Sequence, residues 1–380
     1  MHISIETDKF VTAVQYVSKA VSSRTTIPIL TGIKIVATQE GVTLTGSDSD
    51  ISIETFIPLG NEEREFMTVF EEGQLVLQER YFTDIVKKMP GETLTIQRDG
   101  QMAATIESDT VVFNLNGYDP DDYPKLPELP EEDQLILPQH LLKDMIRQTV
   151  FAVSNQETRP VLTGVNFDVE HLKLTATATD SHRLALRSAS FDGDEELSFT
   201  NIIIPGKSLV ELSRILKDDE TPVTIVITST QVLFKMENLL FFSRLLDGKF
   251  PLTNNMIPTN GKTTMELSTK KIKSSARSCD VAFTGSKKNN VIHMKASTGG
   301  QVEITSVSAE AGKVQEQLHA NHFEGEELRI AFNGKKYLRC VKSIDSETIS
   351  IMFTGSMSPF VVRPTDHDQM THLFSPVRTN

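Results

Sequence analysis

Several short stretches of this chain carry residues that can do chemistry. Asp180-Ser-His182 follows Thr179 and brings a hydroxyl close to an imidazole in sequence, the pairing that a nucleophile and its general base need. However, a serine and a histidine next to each other on a turn point in different directions, and no third group orients the imidazole. Gly206-Lys-Ser208 resembles the end of a phosphate-binding loop, but Asn201 stands where the first glycine of that loop belongs. Neither stretch predicts an active site.

Acidic and histidine residues group in three further places. The aspartates at 119–122 lie in a proline-rich stretch, Asp366-His-Asp368 lies in the last loop, and His319 and His322 flank a strand end. None of these groups has the ligand spacing of a closed metal site. We therefore expect no metal and no other cofactor. A metal-dependent phosphoesterase that uses these scattered groups stays open as a rival interpretation, and metal dependence of any activity would favour it.

A repeated pattern organises the whole chain. Pro28-Ile-Leu-Thr-Gly32 recurs 132 residues later as Pro160-Val-Leu-Thr-Gly164. One strand-like tetrapeptide occurs three times, as Val42-Thr-Leu-Thr45, Leu172-Lys-Leu-Thr175 and Val302-Glu-Ile-Thr305. Extended proline-containing linkers at 117–130 and 247–258 separate the copies. Repeats of this length predict three copies of one structural unit.

Each copy has the order strand, helix and three strands, twice over. The predicted helices are 7–22, 79–89, 139–153, 207–217, 269–279 and 334–343. Thr7 is expected to cap the first helix, whose apolar face is Phe10, Val14, Val17 and Val21. The predicted strands include 29–38, 161–169 and 300–307, and their alternating pattern indicates antiparallel sheets with one buried face.

The expected fold class is therefore α+β, with three repeated domains at 1–125, 126–253 and 254–380 and two helices packed on antiparallel sheets in each. Three unrelated α+β domains are the alternative. No run of residues approaches the roughly 18 apolar positions of a membrane span, and the N-terminus does not have a signal-peptide pattern. Cys279 and Cys340 both fall within helical patterns, which favours a reduced, cytoplasmic protein without a membrane partner.

The charge of the chain is sorted by element. The net charge is −13, but the six predicted helices together carry +13, so the remaining residues carry −26. If the helices share one surface, that surface attracts a polyanion while the rest of the protein repels it. The sequence has no recognition-helix or zinc-finger spacing, so such a surface would contact phosphates without reading bases. Lysine-rich helix faces that serve only solubility are the alternative.

The last residues, Leu373-Phe-Ser-Pro-Val-Arg-Thr-Asn380, form an apolar segment at a place where chains usually fray. Such a tail is expected either to pack into its own domain or to line a groove for a partner.

Thr179-Asp-Ser-His-Arg-Leu-Ala185, the terminal Pro376-Val-Arg-Thr379, Arg24-Thr-Thr-Ile-Pro-Ile-Leu-Thr-Gly32 and the threefold repeat closely resemble the bacterial DNA polymerase III β subunit family, the sliding clamps. The resemblance covers the whole chain, and the ending is similar to the Gram-positive type. It implies a non-enzymatic processivity factor, a ring made by a head-to-tail homodimer, with helices around the hole and sheets outside. Edge strands near 101–115 and 299–306 would pair across the dimer interface, with Ile272 nearby.

The resemblance also implies a hydrophobic cleft that takes short linear motifs from the DNA polymerase III α subunit, the clamp loader, repair polymerases and mismatch-repair proteins. Its residues would be Leu162, Thr179, His182, Arg183, Leu184, Pro251, Asn255, Met256, Ile349, Leu373, Ser375, Pro376, Val377 and Arg378. Ser375 departs from the family, which usually has Met or Leu there, so the floor of the cleft is expected to be shallower.

Double-stranded DNA would be held without sequence specificity. The resemblance points to Arg24, Arg80, Gln148 and Arg159, and the helix charges add Lys87, Lys88, Arg147, Arg214, Lys217, Lys270, Lys271, Lys273, Arg277, Lys336 and Arg339. A DNA-compacting protein is a third interpretation. It predicts tight binding to linear DNA, whereas a clamp slides off free ends.

Overall fold

The computed structural model describes residues 1–100, 102–126, 134–281, 291–308 and 312–378. The chain forms two compact units, one built from Met1–His140 and Glu211–Leu245, the other from Leu141–Val210 and Leu246–Asn380. The six α-helices of the described residues are α1 Thr7–Val17, α2 Glu79–Val86, α3 Gln139–Thr149, α4 Gly206–Ser213, α5 Thr269–Val281 and α6 Gly334–Ser343.

The strands, numbered along the chain, are β1 His2–Glu6, β2 Gly32–Thr38, β3 Gly41–Ser47, β4 Ile51–Pro58, β5 Met67–Glu71, β6 Gly73–Gln78, β7 Thr93–Asp99, β8 Ala103–Ser108, β9 Val111–Tyr118, β10 Gln134–Pro138, β11 Gly164–Glu170, β12 Lys173–Thr179, β13 Arg183–Ser190, β14 Phe199–Pro205, β15 Pro222–Ile227, β16 Gln231–Met236, β17 Leu239–Arg244, β18 Thr263–Ser268, β19 Val291–Ser297, β20 Gln301–Ser308, β21 Gly312–His319, β22 His322–Gly325, β23 Leu328–Asn333, β24 Thr348–Phe353, β25 Phe360–Pro364 and β26 Met370–Phe374.

The first unit contains one antiparallel sheet of thirteen strands, in the order β10-β15-β16-β17-β4-β3-β2-β6-β9-β8-β7-β1-β5. Helix α1 buries Phe10, Val14 and Val17, as its periodicity predicts, while Val21 lies beyond the helix and is only partly buried. The ring of Phe10 meets that of Phe82 from α2 edge-on, with 5.9 Å between centroids. This geometry lets two aromatic rings fill the space between the helices and the sheet.

The second unit contains a nine-stranded sheet, β14-β11-β12-β13-β26-β25-β24-β18-β22, and a four-stranded sheet, β21-β20-β19-β23. The C-terminal strand β26 lies between β13 and β25. It therefore joins the strands of the middle repeat to those of the last repeat in one sheet. Phe332, Tyr337, Phe353, Phe360 and Phe374 form an aromatic core beside α6.

Two segments predicted as strand starts are 3-10 turns instead. Pro28–Thr31 and Pro160–Thr163 each begin with proline, which fixes φ for a helical turn. In each turn the threonine hydroxyl donates to the proline carbonyl at 2.7 Å. Strands β2 and β11 consequently begin only at Gly32 and Gly164. The identical hydrogen bonds confirm that the two sequences are structural repeats.

Other corrections concern the ends of elements. Thr7 does not cap the first helix; it is the first helical residue, and its hydroxyl donates to the carbonyl of Gly91 at 2.7 Å. Strands β5, β10, β22, β23 and β26 were not predicted, and the helices predicted to start at 7, 79, 139 and 207 all end earlier than expected.

Candidate peptide-binding cleft and basic helices

The sequence Thr179–Arg183 forms a tight hydrogen-bonded turn between β12 and β13. Ser181 has φ of +70°, the left-handed region that a short turn requires. The hydroxyl of Thr179 donates to the carbonyl of Arg183 at 2.7 Å. The Asp180 carboxylate accepts from the backbone amides of His182 and Arg183 at 3.0 and 3.1 Å. Asp180, Ser181 and His182 therefore close a turn and do not form a catalytic group.

The first repeat contains the same turn at Ser47–Ile51. Ser49 has φ of +81°, and the Asp48 carboxylate accepts from the amides of Asp50 and Ile51 at 3.0 and 2.9 Å. Because both repeats share them, the aspartate and the serine with positive φ are structural features of the repeat. The turn at 179–183 differs in its last residue, which is Arg183 where the first repeat has Ile51.

Arg183 is that residue, and its side chain is only 4 % exposed. Its Nε donates to Asp180 Oδ2 at 3.1 Å, its Nη2 donates to the carbonyl of Phe151, and the guanidinium lies over the Phe151 ring. Lys336 Nζ also contacts Asp180 Oδ2, at 2.9 Å. Burial lowers the pKa of Arg183, while the Asp180 charge opposes this shift. Arg183 is thus a buried residue that holds the turn.

Backbone hydrogen bonds hold the C-terminal tail on both sides. Leu373 pairs with Leu184 in the β13–β26 ladder. Beyond the strand, the amide of Ser375 donates to the carbonyl of His182 at 2.9 Å, and the amide of Val377 donates to the carbonyl of Ala331 at 2.7 Å. The apolar tail is therefore ordered against its own unit, as one of the two sequence-based expectations requires.

Ordering the tail creates a small cavity, which we call the tail cavity. Its volume is about 230 Å³. Its lining residues are His182, Asn333, Lys336, Phe374, Ser375, Pro376 and Val377. Leu184 and Leu373, whose side chains leave the other face of the sheet, pack with Val361, and Leu186, Ile257 and Met352 lie partly buried around them. Of the predicted cleft residues, the structure therefore brings His182, Ser375, Pro376 and Val377 together at the tail cavity, and Leu184 and Leu373 together in the cluster on the other face of the sheet.

The other predicted cleft residues lie elsewhere in the second unit. Thr179 is buried in the turn, and Asn255, Met256 and Arg378 are exposed. Leu162 is buried in a separate cluster with Ile203 and Phe250. Pro251 lines a different groove of about 620 Å³, together with Leu186 and Leu252.

Ile349 is not brought to the cleft. It is fully buried in the core beneath α5 and α6, on the inner face of β24. Val361 of β25 packs against Leu184 and Leu373 instead, and sequence reasoning missed it. The strand reads Phe-Val-Val, so the order of apolar residues does not say which valine faces outward.

Twelve of the fifteen predicted DNA-binding residues are exposed: Arg24, Arg80, Lys87, Lys88, Arg147, Arg159, Arg214, Lys217, Lys270, Lys271, Arg277 and Arg339. Five of the fifteen make side-chain hydrogen bonds or ion pairs within the chain. Gln148 is buried and accepts from Arg187, Arg147 pairs with Asp144 and Asp345, and Arg214 pairs with Glu211. Lys273 donates to the carbonyl of Ile344, and Lys336 pairs with Asp180.

The observed helix ends change the charge argument. Within the bounds of the structure the helices carry +7, with +3 on α5, +4 on α6 and +1 on α3. Helices α1 and α4 are neutral and α2 carries −1, so the prediction that all six are basic is wrong. Lys19, Lys87, Lys88, Arg214 and Lys217 follow the last turns of their helices, where the helix dipole favours positive charge.

Among the residues that the structure describes, no three His, Cys, Asp or Glu side chains are grouped so that they could hold a metal ion. No helix in this part of the chain is long and apolar enough to cross a membrane. Cys279 and Cys340 are buried free thiols, and burial raises the pKa of Cys279 to about 11.

The repeated two-helix domains and the C-terminal tail ordered in the shared sheet define a multidomain α+β protein. Three models of the DNA polymerase III beta subunit match the chain in order: the N-terminal domain over residues 1–127, the central domain over 136–252 and the C-terminal domain over 254–378. The chain belongs to the DNA polymerase III beta subunit family, as the resemblance of its motifs indicated.

Individual relatives agree over the full length. The chain is 58% identical to the beta sliding clamp of Halalkalibacterium halodurans and 51% identical to that of Bacillus subtilis, with all of both chains covered in each case. The crystal structure of the Bacillus subtilis DNA polymerase sliding clamp superposes with a TM-score of 0.96 over 100% of both chains, at 50% identity. The beta chain of DNA polymerase III from Streptococcus pneumoniae gives 0.93 at 34% identity. These relatives confirm the three-domain α+β fold and the Gram-positive type.

Proposed function

We propose that this protein is a DNA sliding clamp, a non-catalytic processivity factor that encircles duplex DNA and tethers the replicative polymerase in the cytoplasm. The full-length identity of 58% to a protein named beta sliding clamp is the observation that carries the proposal. The ordered tail and its cavity support the tethering part, because a preformed apolar pocket with a polar rim suits a short peptide anchor. The three clamp domains would meet near 125 and 253.

The ring would be closed by two copies arranged head to tail. Strand β9 pairs with β6 only through Gly117 and Tyr118, so residues 111–116 present one free edge of that strand. Strand β21 is the last strand of the four-stranded sheet. The sequence resemblance indicated residues 299–306 as the second edge strand of the interface. Strand β20, which contains most of these residues, pairs with both β19 and β21 and therefore has no free edge. Ile272 lies in the core of the second unit.

DNA would be held by topology and by weak phosphate contacts. Exposed basic residues on and after the helices, such as Lys87, Lys88, Lys270, Lys271 and Arg277, supply those contacts. Phosphate contacts of this kind weaken with salt and carry no sequence information. Tight contacts would hinder sliding.

The tail cavity would take short linear motifs. Polymerase III α subunit, clamp loader, repair polymerases and mismatch-repair proteins are the proposed partners. Ser375 lines this cavity beside Phe374, Pro376 and Val377, which supply its apolar surface.

Primer extension on a singly primed circular template, with a Gram-positive replicative polymerase and its loader, tests the proposal. We expect the wild-type protein to lengthen the products of one binding event by at least about tenfold, because tethering raises the effective concentration of polymerase at the primer. A Pro376→Gly, Val377→Ser double variant should lose this effect.

Leu252→Ser is the matched control, since Leu252 is 77% exposed and lies outside the tail cavity. Products that are no longer with wild-type protein than without it would refute the proposal. Full stimulation by the double variant would refute the assignment of the cavity.

A further inference from the structure

An arginine of α3 joins the middle repeat to the last repeat. Arg147 Nη1 donates to the carbonyl of Ser343 at 3.3 Å, and its Nη2 pairs with the carboxylate of Asp345, which lies just beyond α6. Asp144, one turn earlier on α3, contacts Nη2 at 2.9 Å. Burial alone would lower the pKa of Arg147, but the hydrogen bonds and charges of Asp345 and Asp144 raise it overall. We call this contact of one cation with two carboxylates the helix latch.

Helix α2 of the first repeat is the equivalent of α6. The loop after each of these helices contacts the first helix of its own repeat in the same way. The amide of Thr7 donates to the carbonyl of Glu92 at 2.9 Å, and the amide of Thr269 donates to the carbonyl of Glu347 at 2.8 Å. Both glutamates come 13 residues after the first residue of their helix, so the positions between correspond without a gap. Two of these correspondences matter at the latch, Lys88 with Ser343 and Pro90 with Asp345.

Helix α5 of the last repeat is likewise the equivalent of α3. Counted from its first residue, each helix buries its fourth, eighth and eleventh side chains. These are Leu142, Ile146 and Thr149 in α3, and Ile272, Ala276 and Cys279 in α5. By the same count, Arg277 corresponds to Arg147 and Ser274 corresponds to Asp144. Arg277 is exposed, and no carboxylate among the described side chains pairs with it.

The strand junctions between repeats follow one rule. Each joins the third strand after one helix to the third strand after another. Strand β4, which follows α1, pairs with β17, which follows α4, and β13, which follows α3, pairs with β26, which follows α6. The register is shared, because Ile53 and Ala185, each two residues beyond its turn, lie opposite Phe241 and His372. The helix latch belongs to the second of these junctions.

Ring closure would repeat this rule between two copies. Strands β21 and β9 are the third strands after α5 and α2. Their pairing, which we call the ring seam, would bring α5 of one copy next to α2 of the other, as α3 lies next to α6 in the chain. Arg277 of one copy would then meet Lys88 and Pro90 of the other, at the place that the helix latch occupies within the chain.

We propose that the ring seam is a helix junction without the helix latch, weakened by repulsion between Arg277 of one copy and Lys88 of the other. Both carboxylates of the latch are absent there, because Ser274 and Pro90 occupy their positions. The seam positions thus carry two cations and no acid, and like charges repel. A ring built this way opens more readily at the seam than at the junction between the middle and last repeats. This inference rests on the proposed function, because it states which junction of the proposed ring yields.

Restoring a carboxylate at the seam tests the inference. Pro90 is exposed, and Pro90→Asp places an acid where Arg277 of the second copy would lie. Pro90→Asn is the matched control, with the same size and no charge. The dissociation constant of the dimer is measured without DNA by fluorescence-detected sedimentation. We expect it to be about fivefold lower for the Asp variant than for the Asn variant, since each of the two seams of a ring gains an exposed ion pair. The difference should shrink at high salt.

A second substitution shows whether Arg277 is the group that the new acid contacts. In an Arg277→Gln background the Asp and Asn variants should dimerise equally, which is the result that a double-mutant cycle gives for two directly interacting groups. Lys262→Gln removes an exposed charge elsewhere in the last repeat and should keep the fivefold difference.

Equal dissociation constants for the Asp and Asn variants in the otherwise wild-type chain would overturn the inference and leave the ring intact. A difference that survives Arg277→Gln would do the same. A wild-type chain that stays monomeric at every concentration would remove the ring, and with it both the proposed function and this inference.

Discussion

His372 shows how the tail strand accommodates a polar residue inside the core. Its side chain is fully buried on β26, with its ring 5.5 Å from that of Phe151. Neither ring nitrogen has a hydrogen-bond partner in the described structure. Burial, and to a lesser extent the charge of Arg183, lowers the pKa of His372 to about 3. The imidazole is therefore neutral in the folded protein at any physiological pH.

This residue makes stability depend on pH. The pKa of His372 is 6.5 in the unfolded chain and about 3 in the folded protein. Between these two pH values the unfolded state therefore binds a proton at His372 and the folded state does not. The free energy of unfolding must therefore fall as the pH drops from 6.5 towards 3, by about 2 kcal/mol between pH 8 and pH 5. His372→Phe removes this dependence and also an unsatisfied polar group. Urea unfolding at the two pH values measures the difference.

The control is His322→Gln, which removes an exposed histidine outside the proposed dimer interface and should keep the wild-type dependence. Protein concentration is held constant because the proposed dimerisation would contribute to stability. An equal loss of stability between pH 8 and pH 5 in His372→Phe and wild type would show that His372 titrates normally.

At the residue scale, the sequence predicts what a residue type can do chemically better than it predicts where the side chain lies. The sequence predicted no catalytic group at Asp180-Ser-His182, and the structure places these residues in a hydrogen-bonded turn. The burial of Arg183 was not predictable, since it depends on Phe151 and Lys336, which are distant in sequence. Val361 packs against Leu373 of the tail strand, whereas Ile349 lies in the core. This difference was not predictable either, because it depends on which face of each strand the side chain occupies.

At the scale of elements, periodicity predicts the long helices and the hairpins and fails for strands buried on both faces. Every residue of β26, Met-Thr-His-Leu-Phe, is buried, so the strand has no polar alternation to reveal it. The prediction of a strand at Pro28–Thr31 is wrong for another reason. The apolar residues of this segment suggest a strand, while its proline and threonine close a 3-10 turn.

The free edge of β9 gives a prediction for ring closure. Phe113 on this edge strand is 39% exposed. If β9 pairs with β21 of a second copy, Phe113→Ser should raise the dissociation constant of the dimer at least about tenfold, because exposed aromatic residues carry much of the energy of such interfaces. Sedimentation equilibrium measures this constant directly.

Phe70→Ser is the matched control. Phe70 is 59% exposed on β5, which ends the same sheet but is not part of the proposed interface. Monomers formed by the Phe70 variant, or an unchanged dimer in the Phe113 variant, would place the interface elsewhere.

At the scale of the whole molecule, net charge is a poor guide to partners. The chain carries −13, while α5 and α6 alone carry +7. A predominantly acidic protein can thus present a basic surface to DNA. The repeats and linkers made the three-domain organisation predictable, but the pairing of β26 with β13 joins distant parts of the chain and could not be read from local pattern.

The central claim is that the protein stays on DNA by encircling it. The most direct test is retention after treatment with a clamp loader, on a nicked circle and on the same DNA linearised, at moderate salt. We predict retention on the circle and loss from the linear form, because weak phosphate contacts let the ring slide off free ends. Equal retention on both forms would mean that direct affinity holds the protein, and would contradict the account.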